Sequence, residues 1–398
     1  MKVSRQTHAS LRTRCSAARL TLVWTLAGLL LAACSKQPAP TSNSETKPSG
    51  SLAAESPSAL GSRTQGPGAA ATAPTPAARG ALRIAYSDWP GWVAWEIGIQ
   101  KGWFKDEGVD VDFKWFEYVP SMEAFSAGKV DAVTMSNGDA LVTGSSGAKS
   151  VGILINDYSN GNDMVVAKPG VKSVAALKGQ KVGVEVGFLS HLLLINALKS
   201  AGMTDQDVEL VNVPTDQTPQ VLKAGEVSAI VAWQPNSGQA LKEVPGSRAI
   251  FTSANVPGLI YDLLYVSPKS LSERRAEWVA VTKVWFRIAD FLKKPENLDE
   301  ASRIMAARVG LTSDQYKVLM GGTHFLDLEG NREHFRKGDS LMSLYRSSQV
   351  VDAFQLANKI YKAPVAYEQY LDPSLVDELA STLGSRAGEP SAATVVAK

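Results

Sequence analysis

The sequence is poor in cysteine. Of its 398 residues only Cys15 and Cys34 are cysteines, and both lie in the first 34 positions. The rest of the chain can therefore form no internal disulfide and has no cysteine nucleophile. Four histidines are scattered along the chain, and no two have the spacing of a metal-binding helix. We therefore expect neither a metal site nor a bound cofactor.

The chain also lacks an excess of either charge. It has 41 basic and 39 acidic residues, a formal net charge of +2. Nucleic-acid-binding domains usually carry a strongly basic face, so no nucleic-acid partner is expected. Hydrophobic residues make up 44% and charged residues 20%, which is typical of a soluble globular protein. The length suits two domains.

The N-terminal segment has the composition of an export signal. Its first 19 residues include five basic residues and no acidic one, and the apolar run Leu20–Leu31 follows. That run is shorter than the roughly 20 residues needed to span a bilayer. The string Leu31-Ala32-Ala33-Cys34 resembles a bacterial lipobox. The resemblance implies a signal peptide over residues 1–33, lipidation of Cys34, and a membrane-anchored protein in the periplasm or on the outer cell surface.

Residues 34–80 are rich in proline, serine, alanine, threonine and glycine and almost free of large apolar side chains. Such a segment cannot bury enough apolar surface to offset the entropy lost on ordering. We expect a disordered tether between the anchor and a folded body.

The body contains an internal repeat. A strand at Leu82–Tyr86 is followed by helix, strand, helix and strand, and the same order returns from Lys181. The segments Ala127–Ala132 and Ala224–Ala229 correspond position by position, each with glycine second and valine fourth. Alternating strands and helices predict parallel sheets covered by helices. Two copies predict two α/β lobes, with ligand bound beyond the carboxyl ends of the strands.

Two motifs in the first copy resemble a known family. A helix ends in the Lys-Gly-aromatic turn Lys101–Trp103, and a later helix ends in Ala127-Gly128 before the next strand. The pattern is similar to periplasmic solute-binding proteins of the nitrate, sulfonate and taurine type over about residues 82–375. This implies a two-lobe periplasmic-binding-protein fold, each lobe a parallel-rich sheet flanked by helices, with two hinge crossings. It also implies a monomer that delivers a small molecule to an ABC permease in the inner membrane.

The resemblance divides the body as follows. The crossings are expected at Asn162–Ala167 and Tyr261–Val266. The predicted parts are lobe 1 at 81–165, lobe 2 at 166–262, the second part of lobe 1 with C-terminal helices at 263–385, and a flexible tail at 386–398.

Two shorter strings suggest a subgroup. Tyr86–Trp92 reads YSDWPGW and Ala232–Asn236 reads AWQPN. Both resemble a urea-carboxylase-related subgroup associated with the use of urea or guanidine.

The loops at the predicted strand ends supply the candidate ligand-binding residues. They hold carboxylates and aromatic rings but no lysine or arginine, which suits a small planar cation. We therefore expect guanidinium as the favoured ligand, with urea next. The candidates are Asp88, Trp89, Trp92, Asn137, Asp139, Glu185, Phe188, Trp233 and Asp262.

Other interpretations remain open. Asp88 and Asp139 can instead cap helices, and Asp262 can pair across the hinge. Helix starts near Pro90 and Ser190 keep an anion such as nitrate or an alkanesulfonate possible, as well as a thiamine precursor. The chain is expected not to be an enzyme, because the pyrimidine synthases of this fold depend on cysteines that the body lacks. A membrane-tethered sensor domain is a third class.

Overall fold

Two β-sheets organise residues 80–387, the part of the chain that the computed structural model describes. Cys34, the predicted signal peptide and nearly all of the tether and tail lie outside the described residues. The strands are β1 (Leu82–Tyr86), β2 (Val111–Trp115), β3 (Ala132–Ser136), β4 (Val151–Ser159), β5 (Met164–Ala167), β6 (Lys181–Val184), β7 (Glu209–Asn212), β8 (Ala229–Ala232), β9 (Arg248–Thr252), β10 (Tyr261–Val266) and β11 (Thr323–Phe325). The helices are α1 (Pro90–Val93), α2 (Trp95–Gln100), α3 (Trp103–Asp106), α4 (Tyr118–Ser126), α5 (Asn137–Ser145), α6 (Leu189–Ser200), α7 (Thr218–Ala224), α8 (Asn236–Glu243), α9 (Pro268–Glu273), α10 (Arg275–Leu292), α11 (Leu298–Val309), α12 (Ser313–Gly321), α13 (Leu328–His334), α14 (Leu344–Ala357) and α15 (Ser374–Ala387).

The predicted repeat is visible in the sheets. The first sheet has the order β11-β4-β10-β3-β1-β2 and the second β7-β6-β8-β5-β9. In each, the first strand of the repeat pairs in parallel with the other two, so Ile84 lies beside Ala132 and Val182 beside Ala229. The two-lobe α/β prediction is confirmed. The sheets are mixed, however, because the strands next to the lobe crossings run antiparallel to their neighbours.

The chain crosses between the lobes twice along its path. It leaves the first sheet after Ser159 and enters the second at Met164, then leaves after Thr252 and returns at Tyr261. The crossings were expected at Asn162–Ala167 and Tyr261–Val266. Asn162 and Asp163 do lie in the first crossing, but Met164–Ala167 and Tyr261–Val266 are the strands that follow the two crossings.

Each lobe has its own core. In the first, Trp278 and Trp285 of α10 are fully buried, and Trp285 packs against Trp95 at a ring distance of 4.8 Å. Trp278 and Trp285 are seven residues apart, a spacing that puts both on one face of the helix. Helix α14 joins both lobes, since Val351 packs in the second core while Gln355 donates a hydrogen bond to the Gly138 carbonyl. Within residues 80–387, no helix combines the length and apolarity needed to cross a membrane.

Candidate functional site

Three strands of the first sheet, β3, β4 and β10, meet at the edge from which the chain crosses to the second lobe, and carboxylates lie at this edge. Asp262, the second residue of β10, lies beside Ser136 at the end of β3 and beside Asp157 near the end of β4. Asp163 stands in the first crossing, directly before β5. Antiparallel pairing puts the start of β10 at the same edge as the ends of its neighbours. The hinge and the candidate site therefore coincide.

A small inner chamber lies at this edge. Its walls are Trp89, Trp92, Tyr118, Asp163, Leu189, Trp233 and Asp262, and its volume is about 10 Å³. The rings of Trp92 and Tyr118 stack at 5.2 Å, and Trp233 meets Tyr118 edge-on at 5.3 Å. The chamber as it stands has room for about one water molecule. A larger ligand requires the lobes to move apart.

A larger outer cleft adjoins the chamber. It has a volume of about 450 Å³, and Tyr118 and Trp233 line both spaces. Its acidic residues are Asp88, Glu117, Glu123, Glu185 and Asp216. Among the described residues that line either space there is no lysine, arginine or histidine. Acidic side chains therefore line both the outer cleft and the inner chamber.

The deepest carboxylates are held without a cation. Burial raises the pKa of Asp157 and of Asp262 well above the usual range, and the two residues are direct partners in the pairing of β4 with β10. The charge of Asp157 further raises the pKa of Asp262. Burial also raises the pKa of Asp163 to about 7, and one of its oxygens has no hydrogen-bond partner. Each group is costly to ionise here unless a cation arrives.

One of the aromatic walls, Trp89, is held by a buried carboxylate. The indole N–H of Trp89 donates to Asp157 Oδ1 at 2.9 Å. A Cβ on Gly91 would lie 1.7 Å from Asp157 Oδ2, so only glycine lets this carboxylate approach α1 so closely. The site therefore depends on a glycine at position 91.

The outer carboxylates are bound by local donors. Glu185 accepts hydrogen bonds from the backbone and hydroxyl of Thr215, both at 3.2 Å, and burial raises its pKa to about 7. Asp88 accepts a bond of 3.3 Å from Asn236 in the other lobe. Burial and the nearby Glu117 raise the pKa of Asp88 to about 6. These groups line the route inward.

The structure brings most of the predicted residues together. Trp89, Trp92, Trp233 and Asp262 line the inner chamber, and Asp88, Glu185, Phe188 and Trp233 line the outer cleft. Asp139 is fully buried and accepts a hydrogen bond of 2.6 Å from Tyr118. Asn137 is engaged at the hinge instead: its amide donates to Ser347 and accepts from the Tyr261 backbone.

Sequence reasoning missed Tyr118, Asp157 and Asp163. Asp157 lies near the end of the long strand β4 and Asp163 in the crossing that follows, and a carboxylate at the end of a mainly apolar stretch was the available signal. Tyr118 begins a helix, and nothing in its local sequence distinguishes it. The described residues include no cluster of histidine, cysteine, aspartate and glutamate placed to hold a metal ion.

Comparison with known proteins gives the family context. A sequence profile of the NMT1-like family matches residues 76–306. A protein of Brucella abortus (strain 2308), named as a candidate binding protein, is 32% identical over 167 residues, 42% of this chain and 51% of that protein. The chain thus spans about half the length of the curated relatives it matches.

Solved structures share the fold at low identity. The periplasmic aliphatic sulphonate binding protein from Escherichia coli matches with a TM-score of 0.62 and 17% identity, over 74% of this chain and 92% of that one. A desulfurization enzyme matches with a TM-score of 0.56 and 17% identity, over 77% of this chain and 100% of that one. The fold alone therefore does not separate binding from catalysis.

Proposed function

The chain belongs to the NMT1-like family, and from this we propose that it is the solute-binding component of an ABC importer whose ligand is a small planar cation. Guanidinium is the favoured ligand and urea the next. The observation that supports the proposal is the inner chamber, in which Asp163 and Asp262 face three tryptophan rings and no basic side chain. A buried charge is tolerated when it is paired, and here the ligand would supply the partner.

A guanidinium ion matches the chemistry of these walls. It is planar, and it can donate two parallel hydrogen bonds to one carboxylate. The rings of Trp89, Trp92 and Trp233 can each add a cation–π contact of about 0.5–2 kcal/mol. Urea has the same shape without the charge, so it would leave the carboxylates unneutralised. We expect it to bind more weakly.

The ligand would enter when the lobes separate. Tyr118 belongs to the first lobe and Trp233 to the second, and their edge-on contact closes the chamber toward the outer cleft. The acidic residues of that cleft would attract a cation to the entrance. Closure would then complete contacts from both lobes, as in other hinge-bending binding proteins.

The proposal extends to the parts of the chain that lie outside the described residues. Lipidation of Cys34 would hold the protein at the membrane, and the tether at 34–80 would let the body reach an ABC permease. The body would act as a monomer without a cofactor.

Calorimetry decides the ligand. Guanidinium, urea, nitrate and taurine are titrated separately into the protein and into Asp262→Asn. Guanidinium should bind the protein, and Asp262→Asn should weaken this binding by more than a hundredfold, since breaking a buried pair costs about 3–5 kcal/mol. Asp110→Asn, which removes an exposed carboxylate, is the control and should bind normally. Binding of nitrate or taurine without guanidinium would refute the proposal.

One observation favours an anion as the second candidate. Helix α6 starts at the inner chamber, and its N-cap residue Phe188 makes no side-chain capping bond. Free N–H groups at a helix start can bind an oxyanion. A relative of this fold is named for binding aliphatic sulphonates. An alkanesulfonate is therefore the runner-up ligand.

A further inference from the structure

Trp92 carries a hydrogen-bond donor that the fold leaves unused. Its side chain is 3% exposed and forms part of the wall of the inner chamber, where its ring stacks on Tyr118 at 5.2 Å. The indole N–H has no hydrogen-bond partner among the described residues. A buried donor without an acceptor is unfavourable, and most such donors in folded proteins are paired. The Trp92 N–H is therefore available to an acceptor that enters the chamber.

The other two indoles of the chamber differ from Trp92. The N–H of Trp89 donates to Asp157 Oδ1 at 2.9 Å, so it is already satisfied. The N–H of Trp233 makes no hydrogen bond of normal geometry to any described residue, although it contributes to lowering the pKa of Asp88. Of the three indoles, Trp92 therefore has the greatest need of an acceptor from the ligand.

The chamber also contains acceptors that need donors. Asp163 is buried, and one of its carboxylate oxygens has no partner within the described part of the chain. Asp262 lies in the same wall. A ligand that satisfies these walls must donate N–H groups to the carboxylates and offer an oxygen to Trp92. Guanidinium has donors only, so it would leave the Trp92 N–H unpaired. Urea has an oxygen but no charge.

We propose that the ligand is an N-acylguanidinium ion, a planar cation in which a carbonyl is joined to guanidinium, and that Trp92 selects it by donating its indole N–H to the carbonyl oxygen. The inference rests on the proposed cation-binding function and narrows the ligand within that class. The guanidinium part provides the charge and the N–H donors for Asp163 and Asp262. The carbonyl oxygen has two lone pairs and can accept a hydrogen bond from Trp92.

Two ligands of equal size test the carbonyl. Acetylguanidine and ethylguanidine are both cations at neutral pH, and they differ only in that a carbonyl of the first is a methylene in the second. Each is titrated by calorimetry into the protein, alongside guanidinium and urea. Acetylguanidine should bind at least about fivefold more tightly than ethylguanidine, because ethylguanidine leaves a buried N–H unpaired. Urea should bind more weakly than acetylguanidine, because it cannot neutralise the carboxylates.

Trp92→Phe tests the donor itself, because it removes the N–H and keeps an aromatic ring. The readout is the ratio of the two affinities, since a smaller ring weakens both ligands alike. The preference for acetylguanidine should fall to within about twofold. Trp95→Phe is the matched control: Trp95 also has a buried N–H without a described partner, but it packs on Trp285 in the core and lines neither space. This control should keep the preference, and thermal unfolding checks that both variants fold.

The outcomes separate the two proposals. If no guanidinium compound binds, the proposed function fails. If guanidinium binds but ethylguanidine binds as tightly as acetylguanidine, the Trp92 N–H bonds to water rather than to the ligand, and the present inference is refuted while cation binding stands. A preference that survives Trp92→Phe would assign the carbonyl to another donor and refute the role of Trp92. The comparison of the two ligands in the unchanged protein decides the matter even if Trp92→Phe does not fold.

Discussion

Asp163 should make the ligand-free protein less stable as the pH rises. Burial raises its pKa from 3.8 to about 7. An acid whose pKa is raised on folding binds its proton more tightly in the folded state, so the folded state loses stability as the pH climbs from about 4 to about 7. A shift of this size corresponds to roughly 4 kcal/mol above pH 7. This is an upper limit, because the neighbouring carboxylates share part of the effect.

Asp163→Asn should remove that loss. We expect the variant to match the unchanged protein near pH 4 and to exceed its free energy of unfolding by about 2–4 kcal/mol at pH 8, because an amide carries no charge to bury. Thermal unfolding at a series of pH values, without urea or guanidinium, measures the difference. Asp110→Asn, at an exposed position, should leave the pH profile unchanged.

Asp163→Asn should also be stabilised less by bound ligand than the unchanged protein is. Guanidinium that binds the folded state raises its apparent stability by mass action, and Asp163→Asn should show a smaller gain at equal, sub-denaturing concentrations of guanidinium. If the free energy of unfolding of Asp163→Asn at pH 8 does not exceed that of the unchanged protein, burying the ionised Asp163 carboxylate costs no free energy and the reasoning is refuted.

Three other changes test the site and the anchor. Gly91→Ala should destabilise the fold by several kcal/mol and abolish guanidinium binding, because the added Cβ would overlap Asp157 Oδ2 at 1.7 Å. Thermal unfolding measures the stability and calorimetry the binding, and unchanged guanidinium binding would contradict the close approach of Asp157 to Gly91. Trp233→Ala should weaken guanidinium binding by roughly 1–2 kcal/mol without losing it, and calorimetry showing no change would remove this ring from the site. Cys34→Ala should block labelling with a palmitate analogue and leave an unprocessed precursor, whereas equal labelling of both proteins would exclude the lipid anchor.

The two-lobe fold was readable from the sequence because it rests on local patterns. The strand at Leu82–Tyr86 and its counterpart at Lys181 each begin a strand–helix–strand series whose spacing recurs. The sequence did not reveal whether the strands next to the crossings run parallel or antiparallel to their neighbours. Whether β5 or β10 runs parallel or antiparallel depends on where the chain re-enters a sheet, and no local pattern records that path.

The site was predicted in part for a similar reason. Trp89 and Trp233 follow the apolar strands of the repeat, so their place at the strand ends could be inferred. Asp157 lies near the end of β4, and Asp163 lies in the crossing that follows. The pairing of β4 with β10 sets Asp157 beside Asp262. Contacts set by strand pairing between distant segments are not encoded in any single stretch of sequence.

The charges of the chamber are divided unequally between the lobes, and this division would link closure to the proposed cation. Asp262 belongs to the first lobe and Asp163 to the crossing, whereas the second lobe contributes Leu189 and Trp233 to the walls. Closing an apolar wall over unpaired carboxylates removes them from water and costs free energy. Closing it over a carboxylate–guanidinium pair buries groups that satisfy each other. A bound cation would therefore shift the equilibrium toward the closed state, because it would neutralise charge that the closed lobes otherwise have to bury alone.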